Sequence, residues 1–250
     1  MTTTISIALQ KGGSAKTTTA QTLSSILGSL NKKVLLVDMD SQENSTIISG
    51  VEDPDKTIID VLSEECSIQE AIVKCNGFDL LPAHENLANL ESMEDVESTL
   101  LKDTLAAVKK NYDYIIIDTP PALGNLLKNS LMASDYVIIP TETRKLSLKG
   151  IDDLMPTIKA VQAENKRLKV LGILLVKYDD RAVLNRQIKD LLIDKAKAYK
   201  TVVFDTVIRN SIAVAEAQTM EQPLLEYAPK SNPCVDYINF TEEVLKRLEK

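Results

Sequence analysis

An apolar run from Ile5 to Leu9 leads into Gln10-Lys11-Gly12-Gly13-Ser14-Ala15-Lys16-Thr17, and a helical pattern follows. These residue types at this spacing suit one chemistry, the wrapping of a phosphate. N–H groups of a glycine-bearing turn and the start of a helix converge on the anion. In such a loop Lys16 reaches the β- and γ-phosphates and the Thr17 hydroxyl binds Mg²⁺. Measured against GxxxxGK[ST] the match is imperfect, with Gln10 at the first glycine position and Ala15 at the last. The loop alone leaves a second reading open, a lysine-rich turn capping a helix.

Two more segments narrow the choice. Val34 to Asp40 reads as a strand ending in Asp38-Met39-Asp40, and Ile115-Ile116-Ile117-Asp118 as a strand running into Thr119-Pro120-Pro121. Each acidic tip taken singly is an ordinary helix cap or turn residue. In a parallel sheet, however, ligands sit at the carboxyl ends of strands. Three strands then aim one phosphate loop and two acidic tips at one crevice. Magnesium takes hard oxygen ligands and keeps several waters, which suits Asp118 acting through water, with Asp40 as a further candidate.

The elements that must carry these residues are visible as continuous apolar runs. Besides those named, they are Phe78 to Leu81, Tyr136 to Ile139, Val170 to Val176 and Val202 to Phe204. Helical patterns such as Leu100 to Lys110 and Leu184 to Ala198 separate them. Strands apolar throughout and alternating with helices predict an α/β fold: a doubly wound, mostly parallel twisted sheet with helices on both faces. No linker or repeat divides residues 1–250, so one nucleotide-binding domain is expected. The segment 142–149 reads as a loop with three positive charges.

Composition excludes several classes. Of 250 residues only 4% are aromatic and none is Trp, which argues against stacking platforms for single-stranded nucleic acid. One histidine, His84, is too few for a histidine zinc cluster. Cys66, Cys75 and Cys234 lack CxxC spacing and read as reduced thiols of a cytoplasmic protein. No apolar run approaches the length of a membrane span. The net charge of −7 excludes coating of nucleic acid by bulk charge, so affinity for DNA requires a local patch.

KGGSAKTTT, VLLVDMDSQENST and YDYIIIDTPPALG resemble the deviant Walker A, Walker A′ and Walker B segments of ParA-type ATPases of the ParA/MinD group. GFDLLPAHENLA, ASDYVIIPTE, GILLVKYDDR and VIRNSIAVAEAQTMEQPLLEYAPKS extend the resemblance from about residue 4 to about residue 248. It implies a P-loop NTPase fold and a slow ATP hydrolase using ATP and Mg²⁺. It further implies a homodimer sandwiching two nucleotides, non-specific binding to double-stranded DNA, and a ParB-like centromere-binding partner. Plasmid or chromosome partition at the nucleoid of a bacterium or archaeon would be the outcome.

The same resemblance assigns roles. Lys11 is similar to the signature lysine that crosses to the partner's nucleotide, in the manner of an arginine finger. Asp40 positions the attacking water, and Gly12 to Thr18 line the phosphates, while Asp38 is structural. Ile208, Arg209 and Asn210 match the stretch near the adenine. The chain begins at the first strand, which is similar to the short form without an N-terminal helix-turn-helix. Arg144, Lys145, Lys149, Arg181, Arg186 and Lys189 are the candidate DNA contacts.

Departures and alternatives accompany the match. Ala15 replaces a glycine, and a Cβ there is strained if φ is positive. Ser41 and Glu43 replace a proline and a glycine in a turn. A MinD-like membrane ATPase, or another cargo-positioning ATPase, is the main alternative. The last helix argues against a membrane: Phe240, Val244, Leu245 and Leu248 form its apolar stripe and its polar face is of mixed charge, so it is expected to pack on the sheet. A metabolic ligase of the dethiobiotin-synthetase type would have no use for Lys11.

Overall fold

The computed structural model describes residues 2–179 and 181–249, with the side chains of 145–147 outside that description. Eight strands form one sheet: β1 (Thr3–Ile7), β2 (Val34–Asp38), β3 (Val73–Lys74), β4 (Asp79–Leu81), β5 (Tyr114–Asp118), β6 (Tyr136–Glu142), β7 (Lys169–Tyr178) and β8 (Val203–Arg209). Their order is β3-β4-β2-β5-β1-β6-β7-β8, and every pair is parallel except β3 with β4. The chain leaves β1 toward one side to build β2 and leaves β5 toward the other to build β6. The end of β1 is therefore the point where winding reverses, which is where an open α/β sheet forms its crevice.

Alternation along the buried strands assigns the two faces. Ile5, Ile7, Leu36, Ile116 and Ile138 pack with Ala20, Leu23 and Leu27 of the helix Lys16–Ser29 and with Tyr237, Phe240 and Val244 of the helix Asn232–Leu248. Val137, Ile139, Ile173 and Leu175 point the other way, onto the helices Asn125–Ala133, Lys145–Glu164 and Val183–Ala198. Leu35, Val37, Ile115 and Ile117 share that second face with the short helices between β2 and β5. Both faces are covered, which is why the central strands are apolar over most of their length rather than alternating. The last helix lies on the sheet as expected, with Phe240 and Val244 fully buried.

Several boundaries differ from the sequence expectation. The helix expected over Leu100 to Lys110 ends at Ala106, followed by a 3₁₀ turn at Lys109–Asn111. The run Val202 to Phe204 belongs to a longer strand, because the polar residues of β8 alternate outward while Phe204 and Ile208 stay buried. The segment 142–149 is not a loop. Glu142 is the last residue of β6, and Lys145 already begins a helix, so only Thr143 and Arg144 connect them.

Candidate functional site

The carboxyl ends of β1, β2 and β5 meet at an open crevice of about 530 Å³. It is lined by Gly12 to Thr18, Asp40, Lys177, Ile208, Arg209 and Asn210 among others. β1 lies between β5 and β6, with Ile7 opposite Asp118 on one side and Ile138 on the other. β2 sets Asp38 opposite Asp118 from the far side of β5. The sheet thus brings together residues far apart in the chain, and the phosphate-loop, adenine-side and Asp40 positions expected from the sequence all reach one cavity.

The loop turns through two left-handed residues, Gly13 at φ 72° and Ala15 at φ 63°. Nothing lies within 4 Å of where a Cβ on Gly12 or Gly13 would sit, so the loop leaves open space on its inner side. Ala15 adopts the strained conformation outright, at a cost of about 1–2 kcal/mol. It stands at the N-cap of the helix beginning at Lys16, and no side chain caps that end. The free N–H groups of this first turn are left for an anion. Glu43, the second departure at a glycine position, is likewise left-handed, at φ 55°. The Ser14 hydroxyl donates to the Lys11 carbonyl at 3.0 Å, which ties the loop to itself.

The charged groups are buried beside this turn. Lys16 donates from Nζ to the Lys11 carbonyl at 3.2 Å. Burial draws its ammonium below the ordinary lysine range, against the opposing pull of Asp118 and Asp40. Asp118 accepts from Ser45 Oγ at 2.8 Å with the Thr17 hydroxyl nearby, and burial raises its carboxyl against the pull of these two hydroxyls. Its Oδ1 is buried without a hydrogen-bond partner among the described residues. Two hydroxyls and an orphaned carboxylate oxygen make a hard-oxygen corner that fits Mg²⁺ completed by waters and phosphate oxygens. Asp40 is buried and accepts from the Gln42 N–H at 3.1 Å.

Asp38 has a different part. It accepts from the Asp40 N–H at 3.1 Å and from the Thr46 N–H and hydroxyl at 2.9 Å each. Burial, and then the charge of Asp118, push its carboxyl well above the usual range. It holds the turn that carries Asp40, in keeping with a structural assignment.

Lys11 lies 3.8 Å from Glu142 Oε2. Glu142 also takes Arg144 at 3.0 Å and Lys177 at 2.9 Å. Burial pushes its carboxyl up, but Lys177, Arg144 and Lys11 outweigh that and hold it below the ordinary range. Glu142 and Lys177 were missed in the sequence. Their only signal was a charged residue at the end of an apolar run, and nothing local says that the two runs are neighbours. On the side of the crevice formed by β8 and the helix Ile212–Thr219, Gln218 Nε2 donates to Thr18 Oγ1 at 2.9 Å, and Arg209 forks onto Asp236 with its closest contact at 2.7 Å.

The candidate DNA contacts fall at the beginnings of two helices on the same sheet face. Arg144 and Lys149 belong to the start of Lys145–Glu164, and the Lys145 side chain lies outside the described residues. Arg181, Arg186 and Lys189 belong to the start of Val183–Ala198. Arg181 is forked onto Asp179 at 3.0 Å, and Lys189 lies over the Tyr178 ring at 5.8 Å. With Arg144 on Glu142, part of this positive charge is already neutralised within the chain.

Residues 2–170 match the AAA domain family model. The chain is 37% identical over 249 residues to the sporulation initiation inhibitor protein Soj of Bacillus subtilis, covering 96% of this chain and 97% of that protein. It is 34% identical over 253 residues to the chromosome partitioning protein ParA of Caulobacter vibrioides, covering 97% and 94%. Among solved structures, cobyrinic acid a,c-diamide synthase from Mycobacterium smegmatis with bound ADP and magnesium superposes with a TM-score of 0.85. Its identity is 32%, over 100% of this chain and 96% of that one. Sequence likeness along nearly the whole chain, the doubly wound sheet and the placement of the loop agree, and the chain belongs to the AAA domain family, within its ParA/Soj group of partition ATPases.

Proposed function

We propose that this chain, acting as one domain, is a Mg²⁺-dependent ATPase that partitions plasmid or chromosome DNA. The observation that carries the reading is the convergence of Lys16, Thr17 and Asp40 on the phosphate-loop crevice, with Asp118 buried beside Lys16 and Thr17. Catalysis is positioning and electrostatic stabilisation of phosphoryl transfer to water. Lys16 meets the β- and γ-phosphates, and the loop N–H groups hold the diphosphate. Thr17, and Asp118 through water, would hold Mg²⁺, which would supply neutralisation of phosphate charge. Asp40 orients the water, and Ile208, Arg209 and Asn210 border the base. Lys11 leaves Glu142 and crosses a homodimer interface to the second of two sandwiched nucleotides.

The dimer doubles the basic helix starts, and affinity for duplex DNA rises steeply with the number of phosphates neutralised. At net charge −7 the nucleotide-free monomer stays off DNA. A ParB-like centromere-binding protein stimulates otherwise slow hydrolysis and releases the dimer, in the cytoplasm and on the nucleoid. The likeness to a cobyrinic acid a,c-diamide synthase supports a second reading, a metabolic enzyme on the same fold. The two separate in binding to random-sequence duplex DNA across a salt series with ATP·Mg²⁺, with ADP and without nucleotide. ATP-dependent, salt-sensitive binding is expected; tight ATP binding with no DNA binding in any state favours the enzyme. Rapid ATP hydrolysis by the pure protein contradicts the slow-switch part of the proposal.

A further inference from the structure

Lys177 occupies an unusual place in β7. The strand is buried from Leu171 to Val176, then reaches Lys177 at φ 51°, a left-handed conformation that costs an L-residue of this type about 1–2 kcal/mol. The pairing of β7 with β8 is irregular at this point, between Leu175 and Tyr178. Val176 and Tyr178 are buried on either side, so at this point the strand turns one side chain, that of Lys177, outward. Strain of this kind is retained where surrounding contacts over-determine it.

Those contacts are on the phosphate loop. Lys177 Nζ donates to the Gly13 carbonyl at 2.8 Å and lies 2.9 Å from Glu142 Oε1. Glu142 sits opposite Val176 in the β6–β7 ladder, so its carboxylate is set by the sheet itself. Gly13 is the loop residue at φ 72°, where the peptide on either side could rotate with little steric hindrance. A charge-assisted hydrogen bond to its carbonyl, backed by a buried carboxylate, fixes which way that peptide faces. The other oxygen of Glu142 faces Lys11 at 3.8 Å, so the loop meets the end of β6 at two points, Lys11 and, by way of Lys177, Gly13.

We propose that Lys177 is a positioning residue of the nucleotide site. Its ammonium ties the Gly13 carbonyl to Glu142 and thereby sets the loop N–H groups toward the diphosphate that ATP and ADP share. This rests on the crevice being a nucleotide site, as proposed above. Because the loop surrounds the α- and β-phosphates, removing the tie weakens ADP and ATP alike.

The test is titration calorimetry of the full-length protein with ADP·Mg²⁺ and with a non-hydrolysable ATP analogue with Mg²⁺. Lys177→Met is expected to raise both Kd values by about tenfold, the scale of one charge-assisted hydrogen bond. Lys177→Arg, which keeps charge and donors, stays within about threefold of the parent protein. Lys177→Gly removes the side chain and the backbone strain together, so it shows the same affinity loss with a melting temperature unchanged or raised. Unchanged affinity in the Met and Gly variants overturns the proposal. A loss confined to the ATP analogue also overturns it, since it makes Lys177 a γ-phosphate contact. So does a loss seen only in a variant that melts lower. If the parent protein binds neither nucleotide, the site reading falls and this proposal with it; parent binding with unaffected variants removes this proposal alone.

Discussion

The Lys16 ammonium rests 3.2 Å from the carbonyl oxygen of Lys11, so the two lysines of the loop are joined through backbone rather than held apart. A buried cation satisfied by one carbonyl is positioned for a stronger acceptor, and a phosphate supplies it. Lys16→Ala is therefore expected to weaken ATP binding by about a hundredfold or more, read by calorimetry. A variant binding ATP normally would remove Lys16 from the site.

Asp40 hangs from a turn that Asp38 holds, and the proposed function gives it the attacking water. Asp40→Ala is expected to keep nucleotide affinity within about threefold while lowering phosphate release by about a hundredfold, the range of one positioned base. On the proposed function, ATP would then persist in a dimer held on DNA. Normal turnover in this variant would reassign the water-positioning group.

Ala15 carries strain that a glycine would lack. Ala15→Gly exchanges about 1–2 kcal/mol of left-handed strain for about 0.5–1 kcal/mol of unfolded-chain entropy, a net gain on the order of 0.5 kcal/mol. Urea unfolding of the two proteins decides it. A clear loss of stability would mean that the methyl, which packs against the core, is worth more than the strain.

Asp38 makes stability depend on pH in a definite direction. Burial and the neighbouring Asp118 raise its carboxyl, so the folded state binds the proton more tightly than the unfolded chain does. That contribution is complete below the ordinary carboxylate range and is lost as pH rises through the raised value. Unfolding free energy of the nucleotide-free protein is expected to fall from pH 5 toward pH 8, and Asp38→Asn to flatten that slope. An unchanged slope in the variant would show that other groups carry it.

How much of the site was legible depended on whether its signal was local. Gly12-Gly13 before Lys16-Thr17, and aspartates closing apolar strands, are patterns within a few residues, and Lys16, Thr17, Asp40 and Asp118 do meet. The segment 142–149 was misread because its charges resemble a solvated loop. In the fold Glu142 is a strand residue, only 6% exposed, and neutralises three cations.

By itself the sequence determined the α/β class, the carboxyl-end crevice and the phosphate loop. Strand and helix periods and glycine spacing are properties of neighbouring residues, and they survive without knowledge of the fold. The tertiary structure alone decided that Ala15 is left-handed and that Asp38 faces Asp118. It also decided that Lys177 joins the Gly13 carbonyl to Glu142. The last two depend on which strands are adjacent and in what register, and ladder pairing between distant segments leaves no mark on the local pattern of either one.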